Sequence, residues 1–172
     1  MKVMNVMNKA TQRGLAAGLL VLATTSVWAD GRRLTAPQLQ AYQQECAACH
    51  MAYPPGLLPA SSWQRIMGGL DQHFGVNASL DDASVAEISR YLQNHSGRGG
   101  ESSSAPPQDR ITQSRWFVRH HRFTASDWAH PRVKRASNCM ACHVGAQSGD
   151  FDEDRVRVPQ GVGGRNFWHS DD

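Results

Sequence analysis

The chain has 172 residues, 40% of them hydrophobic, and a formal net charge of +3. That is room for one ordinary domain or two small ones, and no apolar run reaches the roughly 18 residues of a membrane-spanning helix. The excess of basic charge sits at the N-terminus: without residues 1–29, 15 basic residues balance 15 acidic ones, which gives no support for nucleic-acid binding.

In chain order, the first element reads as an export signal. Lys2, Lys9 and Arg13 precede the apolar run GLAAGLLVLATTSVWA, and Val27 and Ala29 fit the small-residue cleavage pattern. Residues 1–29 are therefore expected to be removed, with the mature chain starting near Asp30. An uncleaved anchor is the competing reading, but the run is short for a span.

Three helices are expected next. Thr35 with Gln38 forms a capping-box pattern, Pro37 suits a first turn, and this helix should run toward Cys46. The stretch YPPGLLPA breaks the chain into a loop. Ser61 with Gln64 makes a second capping box, followed by a stripe of Trp63, Ile66, Met67 and Leu70, with Gly75 as the stop. Asp81 or Asp82 can cap a third helix carrying Val85, Ile88 and Leu92 inward and ending before Gly97.

Composition then shifts to Gly, Ser and Pro in HSGRGGESSSAPPQD. The division expected is a first domain over 30–95, a linker over 96–109 and a second domain over 110–172. In the second, RITQSRWFVRHHRF reads as a helix with Ile111, Phe117 and Val118 inward, and the glycine-rich end carries no assignable pattern. Arginines crowd 110–135 and DFDED at 150–154 is acidic; both read as solvated charge. With no β-alternation, the fold class is all-α with extensive irregular structure.

All four cysteines fall in two copies of Cys-x-x-Cys-His, one per half: Cys46, Cys49, His50 and Cys139, Cys142, His143. This is the attachment signature of c-type haem. Two thiols one helical turn apart can add to the two vinyl groups on one edge of the macrocycle, and the adjacent imidazole then reaches the iron. A shared structural zinc would have to fold the distant pairs together and leaves both histidines unexplained. A thioredoxin-like motif belongs with a βαβ pattern that is missing here, and a disulfide closed over two residues staples little. Two covalent haems also supply core and cross-link to halves of about 65 residues, which otherwise bury little.

The opposite face of each iron decides the chemistry: Met raises the potential, His closes the site, and an open position admits ligands or peroxide. Met51 follows a proximal histidine and Met140 lies inside a motif, so neither can cross its own ring. Met67 is the remaining methionine for the first haem. His73 extends the stripe of the second helix, three residues after Leu70, and is the leading candidate there; His95, at a helix end, is an alternative. For the second haem His120 and His121 both lie on the upstream helix, and periodicity barely separates them. His130 sits in a loop and His169 is almost terminal.

The runs CAACHMAYPPGLLPASSWQRIM, LDQHFGVNASLD, RITQSRWFVRHHR and SNCMACHVGAQSGDFDED resemble the bacterial diheme cytochrome c family. The resemblance spans most of the chain beyond the export signal. It implies a periplasmic electron-transfer protein with a class I-like N-terminal haem domain, a distinct and mostly irregular C-terminal haem domain, and bis-histidine iron. It further implies His73 as distal ligand of the first haem and favours His121 over His120 for the second. Its partners would be other redox proteins, among them a monohaem c-type cytochrome and a membrane cytochrome b. No acid–base catalytic residue is expected. The readings from other classes are a diheme peroxidase-type enzyme and a ligand-binding haem protein with one open iron.

Overall fold

A computed structural model describes residues 39–163. The expected export signal, the expected capping box at Thr35 and Gln38, and His169 lie outside the described residues. Five helices follow in order: α1 Gln40–Cys46, α2 Ala60–Gly68, α3 Asp82–Asn94, α4 Arg115–His120 and α5 Ala125–Trp128. Eight three-residue or four-residue 3-10 turns join them, and the described residues hold two isolated β-bridges in place of any strand. None of the described helices is long and apolar enough to cross a membrane. The mostly helical, irregular fold read from the sequence is the fold observed.

The longest helix is α3, and its start follows from one side chain. The Asp81 carboxylate accepts hydrogen bonds from the backbone N–H groups of Ala83 and Ser84, satisfying donors that a helix start leaves free. Ile88 and Leu92, one turn apart, are buried on its inner face, with Val85 packed at the margin. Burying each such side chain stabilises the fold by about 1.5–3 kcal/mol. Against this face pack α1 and α2, through Tyr42 from the first and Trp63 and Met67 from the second. Leu58 and Ala52 fill the space below, and Trp63 Nε1–H donates to the Pro55 carbonyl at 2.7 Å.

The second helix departs from expectation at both ends. It begins at Ala60 after an extended Pro59, without a side-chain cap from Ser61, and it stops at Gly68 rather than running to Gly75. Two adjacent glycines, Gly68 and Gly69, are poor helix residues and end it there. A 3-10 turn, Leu70–Gln72, follows. His73 therefore lies in a tight turn beyond the helix and not on its stripe.

Residues 96–114 are built of short turns that touch the first core. Gly97 fits where a Cβ would meet the Gly56 carbonyl oxygen at 2.8 Å and the Ser102 Cβ at 2.6 Å, so only glycine packs without displacement. Asp109 receives two hydrogen bonds from the Arg65 guanidinium, and Ile111 packs against the first core. The α4 helix starts at Ser114, whose hydroxyl accepts from Phe117 N–H and donates to the Ile111 carbonyl. Phe117 is buried, but Val118 is 60% exposed, contrary to the inward position expected of it. A six-residue helix presents one narrow stripe, and Phe117 occupies it. Thr124 and Asp127 close a capping box on α5, a pattern visible in the sequence but not read there. Beyond it Val133, Ala146 and Val162 form the small buried set of the second half.

Candidate functional site

The first Cys-x-x-Cys-His begins as α1 ends. Cys46 is the last helical residue, and the chain turns through Ala47 to Cys49 and an exposed His50. His50 Nδ1–H donates to the Met51 carbonyl at 2.7 Å. A carbonyl can only accept, so the ring hydrogen is on Nδ1 and the Nε2 lone pair is the ligating one. Tyr53 flanks the same ring, centroids 5.0 Å apart at 29°.

Across from His50 stands His73. The turn that presents it has Phe74 and Gly75 at positive φ, 49° and 98°, and closes with Val76 N–H donating to the His73 carbonyl at 3.1 Å. The two imidazole centroids are 6.0 Å apart, with planes at 25°. Burial, with the neighbouring His50 as a lesser cause, holds His73 below the usual histidine pKa, which favours the neutral form a metal requires.

The second site is assembled from α4 and the second motif. His121 caps the C-terminal end of α4, its Nδ1–H donates to the Phe117 carbonyl at 3.0 Å, and its ring stacks on Phe117 at 4.1 Å. Cys139–Ala141 forms a 3-10 turn, and His143 N–H donates to the Cys139 carbonyl at 2.8 Å. His143 bridges to Val156 in the polar segment that follows, and its Nδ1 is buried with no hydrogen-bond partner. The His121 and His143 centroids are 5.9 Å apart, planes at 63°. Burial, the largest cause in each case, lowers the pKa of both rings. Gly145 makes room for this loop, since a Cβ there would lie 2.7 Å from Asp150 Cβ.

The alternatives are used elsewhere. Met67 is buried among the core residues of α2 and α3. His95 donates from Nδ1 to the Tyr91 carbonyl at 2.8 Å and packs on the Tyr91 ring. His120 is exposed on the outer side of α4. His130 Nδ1 accepts from Arg132 N–H in its own loop.

These donors fit a haem. Two imidazoles that ligate one metal from opposite sides, with metal–nitrogen bonds of about 2 Å, have ring centres roughly 6 Å apart. Both pairs meet that separation, and each has a cysteine pair directly before one of its histidines. A porphyrin brings four nitrogens of its own, so two protein ligands suffice; among the described residues no three His, Cys, Asp or Glu side chains cluster as a metal site would need. No disulfide joins the four cysteines, all of them described residues, and burial pushes the Cys46 and Cys139 thiols up to about 11. Redox-active Cys-x-x-Cys thiols have lowered values, so these are poor thioredoxin-like nucleophiles. Tyr53 is the site residue that sequence reading passed over: its role depends on a contact with Ser137, far along the chain, and no local pattern marks it.

Comparison with known proteins gives a consistent picture. The family model described as dihaem cytochrome c matches residues 42–151. Among solved structures, the diheme cytochrome type c of Shewanella baltica OS155 is 39% identical, covering 73% of this chain and 96% of its own, with a TM-score of 0.62. Two structures of the diheme cytochrome c of Rhodobacter sphaeroides are each 40% identical. They cover 68% and 64% of this chain and 100% and 94% of their own, with TM-scores of 0.54 and 0.56. A search of curated proteins finds no match.

Proposed function

The chain belongs to the dihaem cytochrome c family and so holds two c-type haems with their irons; from that premise we propose that it is a periplasmic one-electron carrier with histidine on both faces of each iron. In this reading Cys46 and Cys49 tether the first haem, which His50 and His73 ligate. Cys139 and Cys142 tether the second, ligated by His143 and His121. Each haem, when bound, supplies an iron that gains or loses one electron at a time, at a potential lower than a Met ligand would set.

The observation that carries the reading is the pairing of imidazoles, 6.0 Å apart at one site and 5.9 Å at the other. With a histidine pair to hold each iron, neither would keep a place for a substrate, so the protein's work would be to hold ligand geometry constant while charge changes. His50 and His121 are held by carbonyls that accept from Nδ1–H, which fixes the tautomer and raises ligand basicity. His73 is held by its turn, and His143 by burial and the bridge to Val156. Phe117 and Trp128 flank the half-buried His121 ring. Donor and acceptor are other redox proteins, with a monohaem c-type cytochrome and a membrane cytochrome b as the partners the family resemblance implies. Export follows from the basic and apolar N-terminal segment.

The test is the optical spectrum of the reduced, haem-loaded protein before and after carbon monoxide. Closed irons give no shift at either haem. A CO-shifted band in the unmodified protein would favour a peroxidase-type or ligand-binding protein instead.

A further inference from the structure

The two attachment motifs are joined by one side chain. Tyr53 lies three residues after His50, and its ring stacks on the His50 imidazole, centroids 5.0 Å apart at 29°. Its hydroxyl donates to the Ser137 carbonyl at 2.8 Å, two residues before Cys139. The Tyr53 backbone is itself pinned, because its carbonyl accepts from the Tyr42 hydroxyl at 2.7 Å, and Tyr42 is buried in the first core. The side chain thus runs from a histidine of the first site to the backbone entering the second.

Other ties between the halves do not do this. The Arg65–Asp109 pair and the packing of Ile111 hold the connecting segment against the first core, at a distance in sequence from both motifs. His50 is exposed, and the Tyr53 ring stacks on it beside its Nδ1–H bond and its pairing with His73.

We propose that Tyr53 is a positioning residue for electron exchange between the two haems, fixing the His50 site and the Cys139 attachment backbone in one register through its stacked ring and its hydroxyl. This rests on the reading of the chain as a two-haem electron carrier. In the exchange one iron loses one electron as the other gains it; Tyr53 keeps its proton and is not oxidised. Its hydrogen bond makes a short polar contact between the two attachment segments. Loss of the bond lets the loops drift, and electron transfer weakens steeply with separation.

The experiment compares the haem-loaded wild type with Tyr53→Phe, Tyr53→Leu and Asp109→Asn. A light pulse delivers one electron to the oxidised protein, and the approach to equilibrium between the haems is followed optically. Tyr53→Phe keeps the stack and loses the hydroxyl, so the exchange rate should fall several-fold while the low-temperature EPR of both ligand sets stays unchanged. Tyr53→Leu should slow exchange further and broaden the signal of the His50 site alone. Asp109→Asn weakens the tie to Arg65, away from both attachment motifs, and should lower stability while leaving exchange near wild type. An unchanged rate in Tyr53→Phe, or an equal fall in Asp109→Asn, would overturn the proposal. Carbon monoxide binding by the reduced wild type would count against closed irons, yet leave this rate comparison valid, so the two failures are separable.

Discussion

The imidazole of His73 lies with its centre 6.0 Å from that of His50 and its plane only 25° away, although helix α2 and two 3-10 turns separate them in sequence. What brings them together is the early stop of α2 at Gly68 and Gly69, which releases the chain into the turn at Phe74 and Gly75. At the second site His121 and His143 keep nearly the same separation, 5.9 Å, but their planes are tilted by 63°.

Removing one distal ring should open one iron and leave the other closed. His73→Ala and His121→Ala are each expected to give a carbon monoxide shift of about half the absorbance change of a fully open two-haem protein, at different haems. The reduced-minus-CO difference spectrum reads this directly. His120→Ala and His95→Ala should give no shift, since neither ring faces a proximal histidine.

Met67 should behave as core. Met67→Leu nearly conserves volume and is expected to cost less than about 1.5 kcal/mol, whereas Met67→Ala should cost about 2–5 kcal/mol. Denaturant unfolding measures both. Neither variant should alter the visible spectrum of the first haem.

How much of this was legible in the sequence depends on how local each signal is. The two Cys-x-x-Cys-His motifs and the cap of α3 are written in five or fewer consecutive residues, and of the two aspartates that can supply the cap, Asp81 does. His73 was chosen for extending a helical stripe, yet it sits in a turn: the glycine pair outweighed the periodicity. Val118 looked like a core residue because α4 was read as longer than its six residues. The pairing of His121 with His143 and the Tyr53–Ser137 bond are invisible to periodicity, because each joins segments whose approach is decided by packing elsewhere.

Close backbone approach makes Gly97 intolerant. Gly97→Ala would drive its Cβ toward the Gly56 and Ser102 carbonyl oxygens, each 2.8 Å away, and overpacking of this kind costs about 1–3 kcal/mol. Gly68→Ala meets nothing within 4 Å and should be neutral or mildly stabilising. Thermal unfolding of the two variants should move in different directions.

The Arg65–Asp109 pair predicts an acid dependence. The hydrogen bond from Arg65, the largest cause, holds the Asp109 carboxyl below its ordinary value of 3.8. A carboxyl lowered on folding adds stability that is present above its unfolded value and is lost as pH falls through the lower folded value. Stability measured from pH 6 downward should therefore decline near and below about pH 4, and Asp109→Asn should flatten that part of the curve. Salt should weaken the wild-type effect, because Arg65 is exposed.

The central claim, histidine on both faces of two irons, is tested most directly by low-temperature EPR of the fully oxidised, haem-loaded protein. Both irons should be low-spin and give two distinct signals. Near-parallel imidazoles split the iron orbitals that receive their π-donation, so the His50–His73 site should be the more rhombic. The tilted His121–His143 planes restore near-degeneracy and should move the largest g value higher. A high-spin signal from either iron in the unmodified protein would contradict the account.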